Sequence, residues 1–126
     1  MSIVLVEPDA ILAQSYAAAL EEKGYHVVSV RSAQSAIEAA DLDRPRAAII
    51  NLEIARHNGV ELLYEFKSYA EWQSVPVILL VSQLNHDLAD SDLLKSELGV
   101  RAVLVKTRMT LDDLCDELVR VVGTAL

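Results

Sequence analysis

Residues 47–51 read Ala-Ala-Ile-Ile-Asn, a short apolar run that ends on a carboxamide. Four similar runs, all rich in Val, Ile or Leu, occur elsewhere along the chain. Unbroken apolar runs with little polar alternation are typical of strands covered on both faces of a parallel sheet. The five predicted strands are Ile3 to Val6, His26 to Val30, Ala47 to Ile50, Val77 to Val81 and Ala102 to Val105.

Helical segments with recognisable ends separate these runs. The first is predicted from Asp9 to Lys23, and Gly24 follows where a left-handed cap residue is expected. The last opens at Thr110 with Asp113 placed as in a capping box. The others are predicted from Ser32 to about Ala40, from Asn58-Gly59-Val60-Glu61 onward, and from about His86 to Leu98. The apolar faces predicted for the first and last helices are Ile11, Leu12, Tyr16, Ala19 and Leu20, and Leu111, Leu114, Cys115, Leu118, Val119 and Val122.

This alternation of strands and helices predicts one doubly wound α/β domain over residues 1–126. Right-handed crossovers place helices on both faces of a parallel sheet whose strand order reverses once. A functional site is expected beyond the carboxyl ends of the strands, near that reversal. The residues at those ends are Glu7, Pro8 and Asp9 after the first strand, Asn51 at the third, Ser82 after the fourth and Lys106 after the fifth.

Composition narrows the classes of function. Of the 126 residues 52% are apolar, and the net charge of -8 argues against nucleic-acid binding, which needs clustered cations. No apolar run approaches the ~20 residues of a membrane span, and the single Cys115, predicted to lie in the core, cannot form an internal disulfide. We therefore expect a cytoplasmic protein without nucleic-acid or membrane partners.

Enzymatic and metal-binding motifs are absent from the sequence. None of the four glycines follows the first strand, so neither a dinucleotide fingerprint nor a P-loop is present. His26, His57 and His86 lack the spacing of zinc ligands. The sequence therefore predicts no enzyme and no metal centre of these kinds.

Four stretches carry a resemblance to a known family. They are Val4-Leu5-Val6-Glu7, then Ile49-Ile50-Asn51 with Gly59-Val60-Glu61-Leu62-Leu63, then Pro76-Val77-Ile78-Leu79-Leu80, and Val103-Leu104-Val105-Lys106. With this spacing the chain resembles the receiver domain of two-component response regulators, the chemotaxis-type flavodoxin-like family. The resemblance covers essentially the whole chain and implies the strand order 2-1-3-4-5.

The resemblance assigns roles to the strand-end residues and reveals substitutions at several of them. Receivers hold Mg²⁺ with two adjacent acids after the first strand; Glu7 keeps the first, whereas Pro8 replaces the second. Asn51 stands where the phospho-accepting aspartate belongs. Val81 replaces a hydroxyl residue, although Ser82 is adjacent, and Val103 replaces an aromatic switch residue. Lys106 is retained, while Thr107 and Ala55 replace two prolines.

These substitutions remove the acceptor and the metal site together. A carboxamide is a poor nucleophile and cannot take the phosphoryl group. Mg²⁺ requires near-octahedral oxygen coordination, and only Glu7 and a backbone carbonyl near Glu53 remain to supply it. We therefore expect Mg²⁺ binding to be weak or absent. Asp9 is either a displaced metal ligand or the cap of the first helix, and Lys106 either neutralises Glu7 or Asp9 or contacts an anion.

The resemblance also implies a partner surface, formed in receivers by the fourth helix, fifth strand and fifth helix. Here it spans about His86 to Leu126, where Arg101, Arg108, Asp112, Asp116 and Glu117 give a mixed charge pattern. The first hypothesis is a phosphorylation-independent protein-interaction module, with a homodimer as one possibility. The alternatives are a phosphorelay receiver that accepts phosphate on Asp9 or Glu53, and a small-ligand sensor that uses the vestigial pocket.

Overall fold

The computed structural model describes residues 2–52, 59–82 and 99–124, in which strands and helices alternate as the sequence predicts. The strands are β1 (Ser2–Val6), β2 (Val27–Val30), β3 (Pro45–Asn51), β4 (Val77–Val81) and β5 (Val100–Val105). The helices are α1 (Ala10–Glu22), α2 (Ala33–Leu42), α3 (Gly59–Ser68) and α4 (Leu111–Val122), with a short 3-10 helix at Ala70–Trp72. The helix predicted from His86 to Leu98 and the cap at Asn58 lie outside the described residues.

The five strands form one parallel sheet in the order β2-β1-β3-β4-β5, which confirms the predicted fold class and strand order. From β1 the chain moves outward to β2 and then returns to place β3 on the other side of β1, so the strand order reverses between β1 and β3. In the register of these two strands, Val6 lies beside Ile50. Consequently Glu7, the next residue after β1, and Asn51, the last residue of β3, reach the same edge side by side.

Two apolar layers, one on each face of the sheet, form the core. Alternate residues of β1 point to opposite layers: Val4 and Val6 join the layer with α2, α3 and Trp72, whereas Ile3 and Leu5 join the layer with α1 and α4. This period of two explains why strands buried on both faces read as continuous apolar runs. The strands are thereby fixed on both sides, which holds their carboxyl ends in place.

Helix ends follow the predicted signals, but two predicted apolar faces were partly wrong. The Thr110 capping box is present, and Gly24 has the positive φ of 96° expected after α1. In contrast, Ile11 is 76% exposed, Leu111 42% and Val119 40%. The reason is geometric, because these positions lie at the border of the apolar stripe of their helices. Ala13, which the prediction omitted, is one of the buried residues of α1.

Side chains from elsewhere in the chain hold the carboxyl end of α4. Tyr25 Oη donates a hydrogen bond to the Gly123 carbonyl over 2.6 Å, and Arg46 Nη2 donates to the Val122 and Thr124 carbonyls over 2.8 and 3.1 Å. Helix ends leave carbonyls without intrahelical partners, and the bonds to Val122 and Gly123 satisfy two of them. Among the described residues, no helix combines the length and apolar character that crossing a bilayer requires.

Candidate functional site

Three polar side chains meet at the carboxyl edge of the sheet. Glu7 follows β1, Asn51 ends β3, and Lys106 opens the turn after β5. Lys106 is held there by its own backbone, because its N–H donates to the Val81 carbonyl over 2.8 Å and continues the pairing of β5 with β4. We call Glu7, Asn51 and Lys106 the strand-end cluster.

Glu7 is the centre of the strand-end cluster. Its side chain is fully buried, with 0% of its surface exposed. One carboxylate oxygen, Oε1, accepts a hydrogen bond from Lys106 Nζ over 2.6 Å, which is also an ion pair, and the other, Oε2, accepts one from Asn51 Nδ2 over 2.6 Å. The Lys106 side chain is 15% exposed. Of the two carboxylates that the sequence left open as partners of Lys106, the structure pairs it with Glu7 and not with Asp9.

The chemistry of these groups explains the arrangement. A buried carboxylate is costly unless it is paired and hydrogen-bonded, and here both of its oxygens have a donor. An ionised carboxylate only accepts hydrogen bonds, so the amino side of the Asn51 carboxamide must face it. An aspartate at position 51 would instead bring a second negative charge against Glu7. The carboxamide thus acts as a donor where a carboxylate would require a bridging cation.

The two residues that follow Glu7 do not join the cluster. Asp9 accepts hydrogen bonds from the backbone N–H groups of Ile11 and Leu12 over 2.9 and 3.0 Å, so it is the N-cap of α1. Pro8 has no side-chain oxygen and lies in the bend that precedes this cap. Of the two readings that the sequence left open for Asp9, the geometry supports the capping role.

The other residues that the sequence placed in the vestigial pocket or at the switch position are mostly apolar. Val81 is buried, Ser82 is exposed, and Val103 is half-buried at the border of the layer that contains α2 and α3. Asn51 and Ser82 each take part in a further interaction besides those described above. Val81 is therefore closed to solvent, whereas the neighbouring Ser82 is exposed.

The pKa of Tyr16 is shifted by the charges at this edge of the sheet, an effect that the sequence did not predict. Burial raises the pKa of the Tyr16 phenol, and the negative charges of Glu7 and Asp9 raise it further. Tyr16 was predicted only as a core residue of α1, and it is 5% exposed. A strand-end carboxylate followed by a helix with an inward tyrosine two turns later is the signal that sequence reasoning missed.

A groove lies between β5 and α4. It has a volume of about 340 Å³ and an apolar floor with a charged rim. Its lining residues are Val103, Leu104, Val105, Arg108, Met109, Asp113, Asp116, Glu117 and Arg120. Arg108, Asp116 and Glu117 belong to the predicted partner surface, whereas Arg120, bound to Glu117 through two contacts of 2.6 and 2.7 Å, was not anticipated.

Within residues 2–52, 59–82 and 99–124, no three His, Cys, Asp or Glu residues are grouped so that they could hold a metal ion. A second cavity, of about 230 Å³, lies between α1 and β2 and is lined by Ala10, Ala13, Gln14, Ala17, Ser29 and Arg31. Neither this cavity nor the groove includes a residue of the strand-end cluster.

Solved structures share this fold. Chemotaxis protein CheY4 of Vibrio cholerae has a TM-score of 0.84 and 21% sequence identity, over 96% of this chain and 98% of that one. The receiver domain of the sensor histidine kinase PA1611 from Pseudomonas aeruginosa PAO1 has a TM-score of 0.82 and 24% identity over 98% of each chain. That receiver was solved with a magnesium ion coordinated in its active site cleft.

Curated relatives are larger proteins. The transcriptional regulatory protein PdtaR of Mycobacterium tuberculosis is 27% identical over 105 residues, which are 82% of this chain and 48% of that protein. The probable transcriptional regulatory protein TcrX of the same species is 25% identical over 83 residues, or 66% of this chain and 35% of that protein. The chain therefore spans about half, or less, of the length of these relatives.

The sequence profile of the family described as "Response regulator receiver domain" matches residues 3–118, which include every residue of the strand-end cluster. Because this match covers most of the chain and solved receiver domains have the same fold, the chain belongs to the response regulator receiver domain family.

Proposed function

We propose that this receiver domain is a protein-interaction module of signal transduction that works without phosphorylation. The observation that carries the proposal is the closed hydrogen-bonding of Glu7. Both of its oxygens are occupied by Asn51 and Lys106, and the residue at the acceptor position is a carboxamide. The positive charge that a metal ion would supply beside Glu7 thus comes from the Lys106 ammonium.

Magnesium fits these residues poorly. Phosphoryl transfer in receivers depends on a cation that neutralises the transferring oxygens, and Mg²⁺ takes oxygen ligands in octahedral geometry. At this edge of the sheet Glu7 is bound by two donors, Pro8 offers no side-chain oxygen, and the Asp9 carboxylate caps α1. A cation added beside Glu7 would be repelled by the Lys106 ammonium, which lies 2.6 Å from its Oε1. We therefore propose that Mg²⁺ binding is weak or absent.

The alternative of a displaced phosphoacceptor is less well supported for Asp9. Its Oδ1 already accepts two backbone hydrogen bonds, and it lies outside the strand-end cluster. Glu53, the other candidate, lies outside the described residues. The ligand-sensor alternative requires an enclosed cavity above Asn51, and the two cavities described above are lined by other residues.

The interaction itself is proposed for the surface around the groove between β5 and α4, within the predicted range of His86 to Leu126. An apolar floor with a rim of both charges favours a partner that matches in shape and in charge pattern. We propose a signalling protein in the cytoplasm as the partner, with a second copy of the chain as a further possibility. We propose neither a nucleic acid nor a membrane as a partner.

The proposal is tested by incubating the protein with acetyl phosphate and Mg²⁺ and measuring its intact mass. We expect no phosphate adduct, while a receiver with a complete acid set, treated in parallel, gains one. The Asn51→Asp variant is expected to stay unlabelled as well, because Pro8 still removes a metal ligand. An adduct on the unaltered chain would reject phosphorylation independence, and peptide mapping would show whether Asp9 or Glu53 carries it.

The partner surface is tested with a charge-reversed bait. The Arg108→Glu variant changes the groove rim, whereas Arg31→Glu changes an exposed arginine at β2, on the opposite edge of the sheet, and serves as the matched control. In a pull-down from the source cells, we expect Arg108→Glu alone to lose the partner. Treatment with acetyl phosphate should leave the amount of captured partner unchanged. Equal capture by both variants would place the interaction elsewhere.

A further inference from the structure

The strand-end cluster contains the three functional groups of an amide-forming reaction. Lys106 supplies a primary amine, Asn51 supplies a carboxamide carbon, and Glu7 supplies a carboxylate that contacts both nitrogens. The contacts are 2.6 Å from Lys106 Nζ to Oε1 and 2.6 Å from Asn51 Nδ2 to Oε2. Glu7 is fully buried and Asn51 is 5% exposed, so protein atoms exclude most of the water that would compete with the amine.

We propose that Lys106 and Asn51 form an intramolecular isopeptide bond, with Glu7 relaying the proton. The Lys106 ammonium first gives a proton to Glu7, and the resulting amine attacks Asn51 Cγ. Glu7 then protonates Nδ2 and takes back a proton from Nζ, acting as general acid and base. The Nζ–Cγ bond forms, the Cγ–Nδ2 bond breaks, and the released ammonia takes the remaining proton from Glu7 and leaves as ammonium. Glu7 is regenerated, and no oxidant or other reactant is needed.

The fold orients the reacting groups. Asn51 belongs to β3, and Glu7 directly follows β1, whose register with β3 is fixed by the pairing of Val6 and Ile50. Lys106 is fixed by the bond from its N–H to Val81 and by the turn in which Arg108 N–H donates to Val105. Because one carboxylate binds the amine and the amide together, the reaction becomes intramolecular, which is the main advantage of positioned reactants.

The bond would link the end of β3 to the turn after β5, across the end of β4. The inference uses the same residues as the proposed function but does not depend on it. A protein that keeps its full mass disproves the crosslink and leaves phosphorylation independence untouched. A phosphate adduct disproves phosphorylation independence and does not bear on whether ammonia was lost.

The test is the intact mass of the purified, folded protein after prolonged incubation at neutral pH. We expect a mass lower than that of the sequence by one ammonia molecule. Trypsin should then release a branched peptide that joins residues 47–56 to residues 102–108, because the acylated Lys106 is no longer a cleavage site. An intact mass equal to that of the sequence would overturn the proposal.

Two variants separate this reaction from other losses of ammonia. Lys106→Arg keeps the positive charge but is not a nucleophile, so it should retain its full mass. An equal loss of ammonia in this variant would mean that an asparagine cyclises on its own backbone without the Lys106 amine, and the crosslink would be rejected. Glu7→Gln should also retain its full mass; a branched peptide formed without Glu7 would overturn the proton-relay role.

Discussion

Two lysines, one near the carboxyl ends of the strands and one near their amino ends, have different kinds of partner. Lys106, at the carboxyl edge, pairs with the Glu7 carboxylate over 2.6 Å. Lys67, near the amino ends of β4 and β5, is 8% exposed and donates to the carbonyls of Trp72 and Gln73 over 3.2 Å each, and to that of Val75. Among the described residues no carboxylate forms an ion pair with Lys67.

The difference shows how an ammonium group is tolerated with and without an opposite charge. At Lys106 the carboxylate and the ammonium compensate each other. At Lys67 three carbonyl dipoles match the three N–H donors of the ammonium, but its net charge remains. Burial, reinforced by the charge of Arg101, accordingly lowers the pKa of Lys67 from 10.5 to about 8. The four predictions below test this contrast.

Lys106→Met should have the largest effect on stability. It leaves the fully buried Glu7 carboxylate without a counter-charge, and we expect a loss of about 3 kcal/mol in the free energy of unfolding. The double variant Glu7→Gln with Lys106→Met removes both charges and should recover part of this loss. Urea unfolding followed by the fluorescence of Trp72, the single tryptophan, measures both. Equal losses in the single and double variants would show that the ion pair is not what stabilises this edge.

Lys67→Met should cost about 2 kcal/mol, because buried carbonyls lose their donors. The effect is smaller than at Lys106 since no charge is left unpaired and an ammonium no longer has to be buried. Lys23→Met, at an exposed lysine, is the control and should change the free energy of unfolding by less than about 0.5 kcal/mol. A Lys67 variant as stable as this control would mean that the carbonyls find other partners.

Gly99→Ala tests how firmly Lys67 is held. A Cβ at position 99 would lie 2.8 Å from Lys67 Nζ, and Gly99 has a φ of +68°. We expect a loss of about 2 kcal/mol from the contact and the backbone strain together. In a Lys67→Ala background the strain remains but the contact is gone, so the cost should fall by about 1 kcal/mol. An unchanged cost would show that Lys67 moves aside freely.

The pH dependence should give the smallest effect. Since the pKa of Lys67 is about 8 in the folded chain and 10.5 when unperturbed, the unfolded state binds more protons between these values. Stability attributable to Lys67 therefore rises with pH in this window, by about 1 kcal/mol from pH 8 to 9. The measurement is the difference in unfolding free energy between the native chain and Lys67→Met at each pH. A difference that stays constant with pH would contradict the lowered pKa.

Local sequence patterns predicted much of this molecule. The strands were found because a strand buried on both faces reads as an unbroken apolar run, and their ends were placed within two residues. The caps at Ser32 and Thr110 were found because capping uses contacts within three residues. The 3-10 helix at Ala70–Trp72 was missed, since its stability comes from Trp72 packing on Phe66 and from Lys67, and no local signal marks it.

The candidate site divides in the same way. The sequence and its family resemblance identified Glu7, Asn51 and Lys106 and brought them to one edge, because parallel strands end together. The sequence left open whether Lys106 pairs with Glu7 or with Asp9, and whether Asp9 caps a helix. Only the structure assigns Asp9 to α1 and both donors to Glu7.

The sequence by itself determined the alternation of strands and helices, the parallel sheet, and the carboxamide at position 51, since each is encoded in neighbouring residues or in one side chain. The tertiary structure alone decided how charge is distributed over the two edges. Lys106 and Glu7 are 99 positions apart, and Lys67 meets Gly99 only because β4 and β5 pair. Such contacts depend on register and packing across the sheet, which no local stretch of sequence specifies.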